Sequence, residues 1–193
     1  MKPGTLVVIG VTIALVSCSS KSENGADAET GTPTDTNEPA TQLDVLDSLA
    51  DSVALVHFKN FEAQSLAMSS LATDFCTSIS AASLEEVRNA WWAARAPWKH
   101  AEIVQFGPIT EYTERVGPKV DDWPVNERAV EDRIAGEDEL TLAAFREYGT
   151  STRGLPVAEY LLWGSADETI DLYELEPRRC EMLQAVVQDI HAS

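Results

Sequence analysis

Residues 90–102 read Ala-Trp-Trp-Ala-Ala-Arg-Ala-Pro-Trp-Lys-His-Ala-Glu. In this stretch aromatic and charged residues recur at intervals of three and four, at Trp91, Arg95, Trp98 and Glu102. That spacing places the four side chains along one side of a helix. A buried charge needs a partner. We therefore expect this helix to pack inside a bundle in which Arg95 and Glu102 form a pair. The alternative is an amphipathic helix whose charged groups reach solvent.

Helical spacing continues on both sides of this stretch. Apolar residues repeat at intervals of three and four from Leu43 to Phe75, and Ser83 with Glu86 resembles a capping box for a helix over 84–106. Further helices are expected over 125–135, within 137–148, from Pro156 onward and over 176–190. No run of alternating residues supports a strand. The sequence therefore predicts an all-α fold, an up-and-down helix bundle with an irregular middle segment over 108–151.

Charge limits the classes of partner. The chain has 193 residues with 32 acidic and 14 basic side chains, a net charge of −18. Such a chain repels phosphate backbones, so nucleic-acid binding is excluded, as is docking on anionic lipid through a basic patch. Binding of cations stays open.

The N-terminus predicts a lipid anchor. Lys2 precedes an apolar run from Thr5 to Val16, which is too short to span a bilayer and suits a secretory signal. Leu15-Val16-Ser17-Cys18 resembles a bacterial lipobox, the alternative being an ordinary signal peptide. We expect a lipoprotein signal peptide at 1–17, a lipidated Cys18 with a disordered tether over 18–42, and a helical domain over 43–193. The protein would lie in the bacterial cell envelope, on the periplasmic side or at the outer membrane.

Two cysteines remain once Cys18 is assigned to lipid. Cys76 and Cys180 lie 104 residues apart, and an oxidising compartment favours a disulfide between them. The alternative is a pair of buried free thiols.

A second stretch, residues 153–164, reads Arg-Gly-Leu-Pro-Val-Ala-Glu-Tyr-Leu-Leu-Trp-Gly, and Asp121-Asp122-Trp123-Pro124 lies between the two. Together with Arg178-Arg179-Cys180, these ordered motifs resemble the imelysin family, bacterial envelope proteins named for an insulin-cleaving peptidase. The resemblance covers residues 43–190. It implies a helical bundle and a metal site made by a histidine, the glutamate three residues after it, and a glutamate of the earlier helix.

The chain departs from that family pattern at the histidine. Pro156 stands in its place, so the resemblance carries over only Glu102 and Glu159 as metal ligands. A zinc hydrolase needs about three protein ligands. His57, His100 and His191 do not supply the third by their positions in the sequence. Family members resemble two consecutive bundles, and this chain corresponds to the first.

We therefore expect a lipid-anchored, non-catalytic imelysin-like protein that binds a cation or a partner linked to iron uptake. Glu102 and Glu159 are the predicted ligands, with Arg95 and Asp121 as supporting binding residues. The cofactor is unknown; the oxygen ligands suit a divalent cation or iron. The expected partners are the membrane, through the lipid, and a second imelysin-like bundle or an iron-uptake protein. The alternatives are a metal-dependent peptidase with an atypical ligand set and a degenerate scaffold in which Glu102 pairs with Arg95.

Overall fold

The computed structural model describes residues 40–111 and 115–193. The predicted signal peptide, the lipidation site at Cys18 and most of the tether lie outside these residues and stay predictions. The compact unit that contains the described residues runs from Ala40 to Ser193. All its regular elements within the described ranges are helical, which confirms the all-α prediction. No helix in those ranges is both long and apolar enough to cross a membrane.

The bundle consists of three long helices, α2, α3 and α9 of the series given next, and of shorter helices that connect them. The α-helices are α1 Gln42–Leu49, α2 Leu55–Thr77, α3 Ala81–Ala101, α4 Val116–Val120, α5 Glu127–Ala135, α6 Leu142–Arg146, α7 Gly154–Leu162, α8 Ala166–Leu175 and α9 Arg178–Ala192. A π-helical segment, Ala50–Ala54, joins α1 to α2, and 3₁₀ turns lie at Glu102–Val104, Gly107–Thr110 and Thr150–Thr152. The short helices α4 to α6 form the irregular middle segment.

The start of α3 differs from the sequence prediction. The helix begins at Ala81, because the hydroxyl of Ser80 accepts a hydrogen bond from the amide of Ser83 and so caps the first turn. The hydroxyl of Ser83 instead donates to the carbonyl of Ser78 at 2.7 Å. The helix continues through Pro97 and ends at Ala101, before the 3₁₀ turn that begins at Glu102.

The core lies between α2, α3, α7 and α9. Its largest fully buried side chains include Phe75 of α2, Trp91 and Trp98 of α3, and Leu183 of α9. Burial of such side chains contributes about 1.5–3 kcal/mol each. A disulfide between Cys76 and Cys180, with their Cα atoms 5.6 Å apart, joins the end of α2 to the start of α9. This confirms the predicted disulfide.

Candidate functional site

The motifs at residues 90–102 and 153–164 meet where α7 packs on α3. The buried indole nitrogen of Trp91 donates to the carbonyl of Leu155 at 2.9 Å. Arg88 donates to the carbonyl oxygens of Leu162 at 2.8 Å and Gly164 at 3.1 Å. The two bonds from Arg88 satisfy carbonyls at the end of α7 and just after it, which have no partner inside the helix. The fold thus fixes α7, with Glu159 on it, against the tryptophan-rich face of α3.

An aromatic cluster completes this contact. The ring of Trp163 lies 5.0 Å from that of Trp91 and 6.4 Å from that of Trp92, in edge-to-face geometry. The guanidinium of Arg88 lies 5.7 Å from the Trp163 ring centre, and that of Arg95 lies 5.4 Å from the Trp91 ring centre. Arg95, a predicted binding residue, therefore contacts an aromatic face.

Lys99 brings together two of the predicted site residues. Its ammonium group forms ion pairs with Asp121 and with Glu102, the latter at 2.9 Å. Partial burial lowers the pKa of Lys99, but its hydrogen bonds to Asp121 and Glu102 outweigh that effect and raise the pKa above its ordinary value. Asp121 also accepts a hydrogen bond from the Trp123 indole at 3.0 Å. Lys99 thus joins the end of α3 to the Asp-Trp-Pro motif.

The expected pairing of Glu102 with Arg95 is not found in the described part of the chain. Glu102 pairs with Lys99, which lies three residues before it on the same helical face. Arg95 is seven residues away and is held over Trp91. Because Glu102 and Asp121 share one lysine, the two carboxylates form a structural ion-pair network.

Glu159 lies elsewhere, in a cavity of about 380 Å³ that we name the acidic cavity. Its lining includes Trp123, Glu127, Pro156, Glu159, Tyr160 and Trp163. The residues from Trp123 to Glu127 belong to the Asp-Trp-Pro motif and the start of α5, and the others belong to α7 and the residue after it. Within the described ranges Glu102 is not part of this lining. Sequence reasoning missed Glu127; the only signal was its place three residues after the motif proline.

Tyr160 orients one wall of the acidic cavity. Its hydroxyl donates to Glu131 of α5 at 2.8 Å, and Glu131 in turn pairs with Arg179 of α9 at 2.7 Å. Partial burial and the neighbouring carboxylates of Glu131 and Glu127 raise the pKa of Tyr160 to about 12. The phenol therefore stays protonated at neutral pH and remains a hydrogen-bond donor.

The motifs described above fall within the part of the chain that matches a known family. The imelysin family model (peptidase M75) matches residues 54–193. The chain belongs to the imelysin family. Among curated proteins, no match was found.

Two solved structures share the imelysin fold with this chain. One is a candidate iron-regulated protein A precursor from Parabacteroides distasonis ATCC 8503, with a TM-score of 0.66 and 22% identity over 77% of this chain and 41% of that one. The other is an imelysin-like protein from Psychrobacter arcticum 273-4, with a TM-score of 0.62 and 21% identity over 77% of this chain and 46% of that one. The chain thus spans less than half the length of either structure.

The residues of this imelysin do not fit a zinc centre of the hydrolytic kind. Residues 40–111 and 115–193 contain no group of three or more His, Cys, Asp or Glu side chains arranged to hold a metal. Pro156, which stands at the family histidine, lines the acidic cavity without offering a donor atom. Glu102 is paired with Lys99. A catalytic zinc site needs about three protein ligands and an open position for water, and we derive no catalytic step through a metal.

The three histidines contact residues other than Glu159. The rings of His57 and His100 pack against each other with centres 4.6 Å apart, which brings α2 and α3 together. Nδ1 of His191 lies 3.2 Å from the hydroxyl of Ser65. These contacts place the histidines between helices of the bundle.

Proposed function

We propose that this chain is a non-catalytic, lipid-anchored imelysin of the bacterial envelope that binds a cationic group of a partner in the acidic cavity, in the context of iron uptake. The observation that carries the proposal is the meeting of Glu127 and Glu159 with two tryptophans in one cavity. Carboxylates attract cations, and indole faces favour ammonium and guanidinium groups.

The two carboxylates are available to a ligand. Neither Glu127 nor Glu159 forms an ion pair within residues 40–111 and 115–193, whereas Glu102 pairs with Lys99. Glu127 therefore replaces Glu102 as the second acidic binding residue that we propose. The tryptophans beside them are unusually open, with Trp123 55% and Trp163 37% exposed. Exposed aromatic surface next to unpaired carboxylates is typical of a binding site.

An organic cation suits the acidic cavity better than a bare metal ion. Ca²⁺ takes six to eight oxygen ligands and binds poorly where few protein oxygens converge. An ammonium or guanidinium group needs only one or two carboxylates and gains further from an adjacent ring. A lysine or arginine side chain of a partner protein meets both conditions.

Binding can be tested with a tetralysine peptide and the full-length protein in detergent. A ligand that binds the folded state raises its melting temperature in a saturable way. We expect Glu159→Gln and Glu127→Gln to weaken the peptide response about tenfold each, as loss of a charged hydrogen bond does. Glu86→Gln, at an exposed position of α3, is the matched control.

The outcomes separate the possible functions. A peptide response that Glu159→Gln reduces and Glu86→Gln does not supports cation-group binding. Absence of any response, or equal losses in all variants, contradicts it. A response to calcium or iron alone that requires Glu159 would favour a metal site. Chelator-sensitive cleavage of a protein substrate would contradict the non-catalytic assignment.

The iron context is supported by the description of the Parabacteroides structure as a candidate iron-regulated protein. We expect the abundance of this chain in its native cells to rise at least severalfold under iron limitation, measured by quantitative proteomics. Unchanged abundance would contradict the proposed role in iron uptake but would not bear on binding in the acidic cavity.

The lipid anchor is supported by the lipobox-like sequence that ends at Cys18. We expect Cys18→Ser to move the protein from the membrane fraction to the soluble fraction, because a diacylated cysteine anchors stably and the bare tether does not. Membrane retention of Cys18→Ser would contradict the anchor.

A further inference from the structure

A basic cavity lies in the irregular middle segment of this acidic protein. It has a volume of about 480 Å³, and its lining includes Arg115, Lys119, Asp122, Arg146, Thr150 and Arg153. A smaller cavity of about 260 Å³ also borders on Lys119, Arg146 and Arg153. Four cationic side chains from three segments of the chain thus surround one space.

Glycine at position 154 makes this convergence possible. Gly154 has a φ of +82°, and a Cβ atom there would lie 2.5 Å from the carbonyl oxygen of Val120 and 2.9 Å from that of Lys119. Only glycine adopts this conformation at low cost and allows such a close approach. The start of α7 therefore touches the end of α4, which brings Arg153 beside Lys119.

Arg153 is a fixed wall of the basic cavity. It is only 5% exposed, and its Nε donates to Oδ2 of Asp189 at 2.8 Å while a second guanidinium nitrogen binds Oδ1. Such a two-point bond holds the guanidinium plane in one orientation. The cavity is therefore preorganised on the side formed by α7 and α9, before any ligand enters.

The two carboxylates near the cations already have partners. Asp189 is engaged by Arg153, and Asp122 accepts a hydrogen bond from the hydroxyl of Thr150. Asp189 also interacts electrostatically with Arg146 and Lys119. The lining of the larger cavity nevertheless gathers four cations and one carboxylate, Asp122, and bringing like charges this close costs Coulomb energy. A bound anion would offset that cost.

We propose that the basic cavity binds a small soluble oxyanion, a phosphate or a polycarboxylate, through Arg115, Lys119, Arg146 and Arg153. Guanidinium groups match the paired oxygens of such anions. The site is distinct from the acidic cavity and goes beyond the proposed function. The net charge of −18 opposes approach to an anionic membrane surface, so a soluble anion is favoured over a lipid headgroup.

The experiment uses the full-length protein in detergent, with inorganic phosphate and citrate as separate probes and chloride added to equal ionic strength in every sample. Binding is measured by calorimetry and by the shift in melting temperature. We expect saturable binding of at least one probe and a loss of about tenfold or more in affinity for Arg146→Gln. Arg128→Gln is the matched control, because the Arg128 side chain is 91% exposed and lies on α5 outside the cavity.

A second variant guards against a folding artefact. Lys119→Gln should weaken the same probe, while unliganded Arg146→Gln and Arg128→Gln should melt within about a degree of the parent protein. Failure of both probes to bind above chloride overturns the proposal. Equal weakening by Arg146→Gln and Arg128→Gln also overturns it, because that pattern reports general charge screening. Arg146-dependent retention on phosphatidylglycerol vesicles without binding of either probe would overturn it in favour of a lipid.

Discussion

The acidic cavity and the basic cavity are built from the same two chain segments and carry opposite charge. Pro118, Lys119 and Asp122 line the basic cavity, and the acidic cavity begins with the next residue, Trp123. Likewise the basic cavity takes residues up to Arg153, and the acidic cavity begins at Pro156. Along each segment the lining thus passes from one cavity to the other within one to three residues. Net charge alone does not reveal such a division.

The two cavities also differ in how their charges are supported. The basic cavity depends on a buried ion pair, Arg153 with Asp189, and on a glycine contact with Val120. The acidic cavity presents partly exposed carboxylates on a wall held by Tyr160 and Trp163. We therefore expect substitutions of Asp189 and Gly154, which support the basic cavity, to act mainly on stability, and substitution of the carboxylates of the acidic cavity to act mainly on binding.

The largest effect is expected at Asp189. Asp189→Ala leaves the buried Arg153 guanidinium without its partner, which should lower the free energy of unfolding by about 3–5 kcal/mol. Urea denaturation measures this change. Glu159→Ala in the acidic cavity is the contrasting variant and should stay within about 0.5 kcal/mol of the parent. Equal losses of unfolding free energy in the two variants would contradict the expectation that the two cavities differ in how their charges are supported.

Gly154 tests whether close packing of α7 on α4 is required. Gly154→Ala forces a side chain into a left-handed conformation and against the carbonyl of Val120, so we expect a loss of roughly 2–3 kcal/mol in unfolding free energy. Gly149→Ala is the matched control, because Gly149 has a φ of −63° and open space around it. A neutral Gly154→Ala, measured in the same urea titration, would show that α7 tolerates a different position.

Substitution of Trp163 tests whether the acidic cavity is independent of the basic cavity. Trp163→Leu removes the ring contacts with Trp91 and Arg88, which should cost about 1–2 kcal/mol. The same change should weaken tetralysine binding without altering the response to phosphate or citrate. A loss of anion binding in Trp163→Leu would mean that the two cavities are coupled through α7.

The smallest effect is expected at Tyr160 and depends on pH. Below pH 10, Tyr160→Phe should lower the free energy of unfolding by roughly 0.5–1.5 kcal/mol, since it removes the bond to Glu131. The folded-state pKa of about 12 lies above the ordinary value of 10, so this stabilisation is lost as pH rises from 10 through 12. Unfolding of both proteins between pH 8 and pH 11 measures the trend. A difference that grows with pH would contradict this assignment.

Local features of the fold followed from the sequence. Intervals of three and four predicted the long helices, and the cysteine pair predicted the disulfide that the structure contains. Helix α8 was missed, although Ser165 and Glu168 form the same type of cap that was recognised elsewhere. The start of α3 was misplaced because Ser80 and Ser83 both suit a cap.

The candidate site was only partly predictable. The motifs pointed to Glu159 and to the region around Trp123, and both line the acidic cavity. They did not identify Glu127, which joins Glu159 only after α5 folds against α7. Nor did they show that Lys99 would bind Glu102 and Asp121 at once, since Asp121 lies 22 residues further along the chain.

The sequence by itself determined the long helices, the family and the disulfide, because each depends on local spacing or on a small set of residues with few possible partners. Only the tertiary structure decided which charges meet. Arg153 finds Asp189 across 36 residues, and Arg115 and Arg146 reach the same cavity from different helices. Such encounters depend on how loops turn and how helices cross, and residue spacing along the chain does not encode those angles in a readable form. Two cavities of opposite charge are therefore a property of the packed bundle.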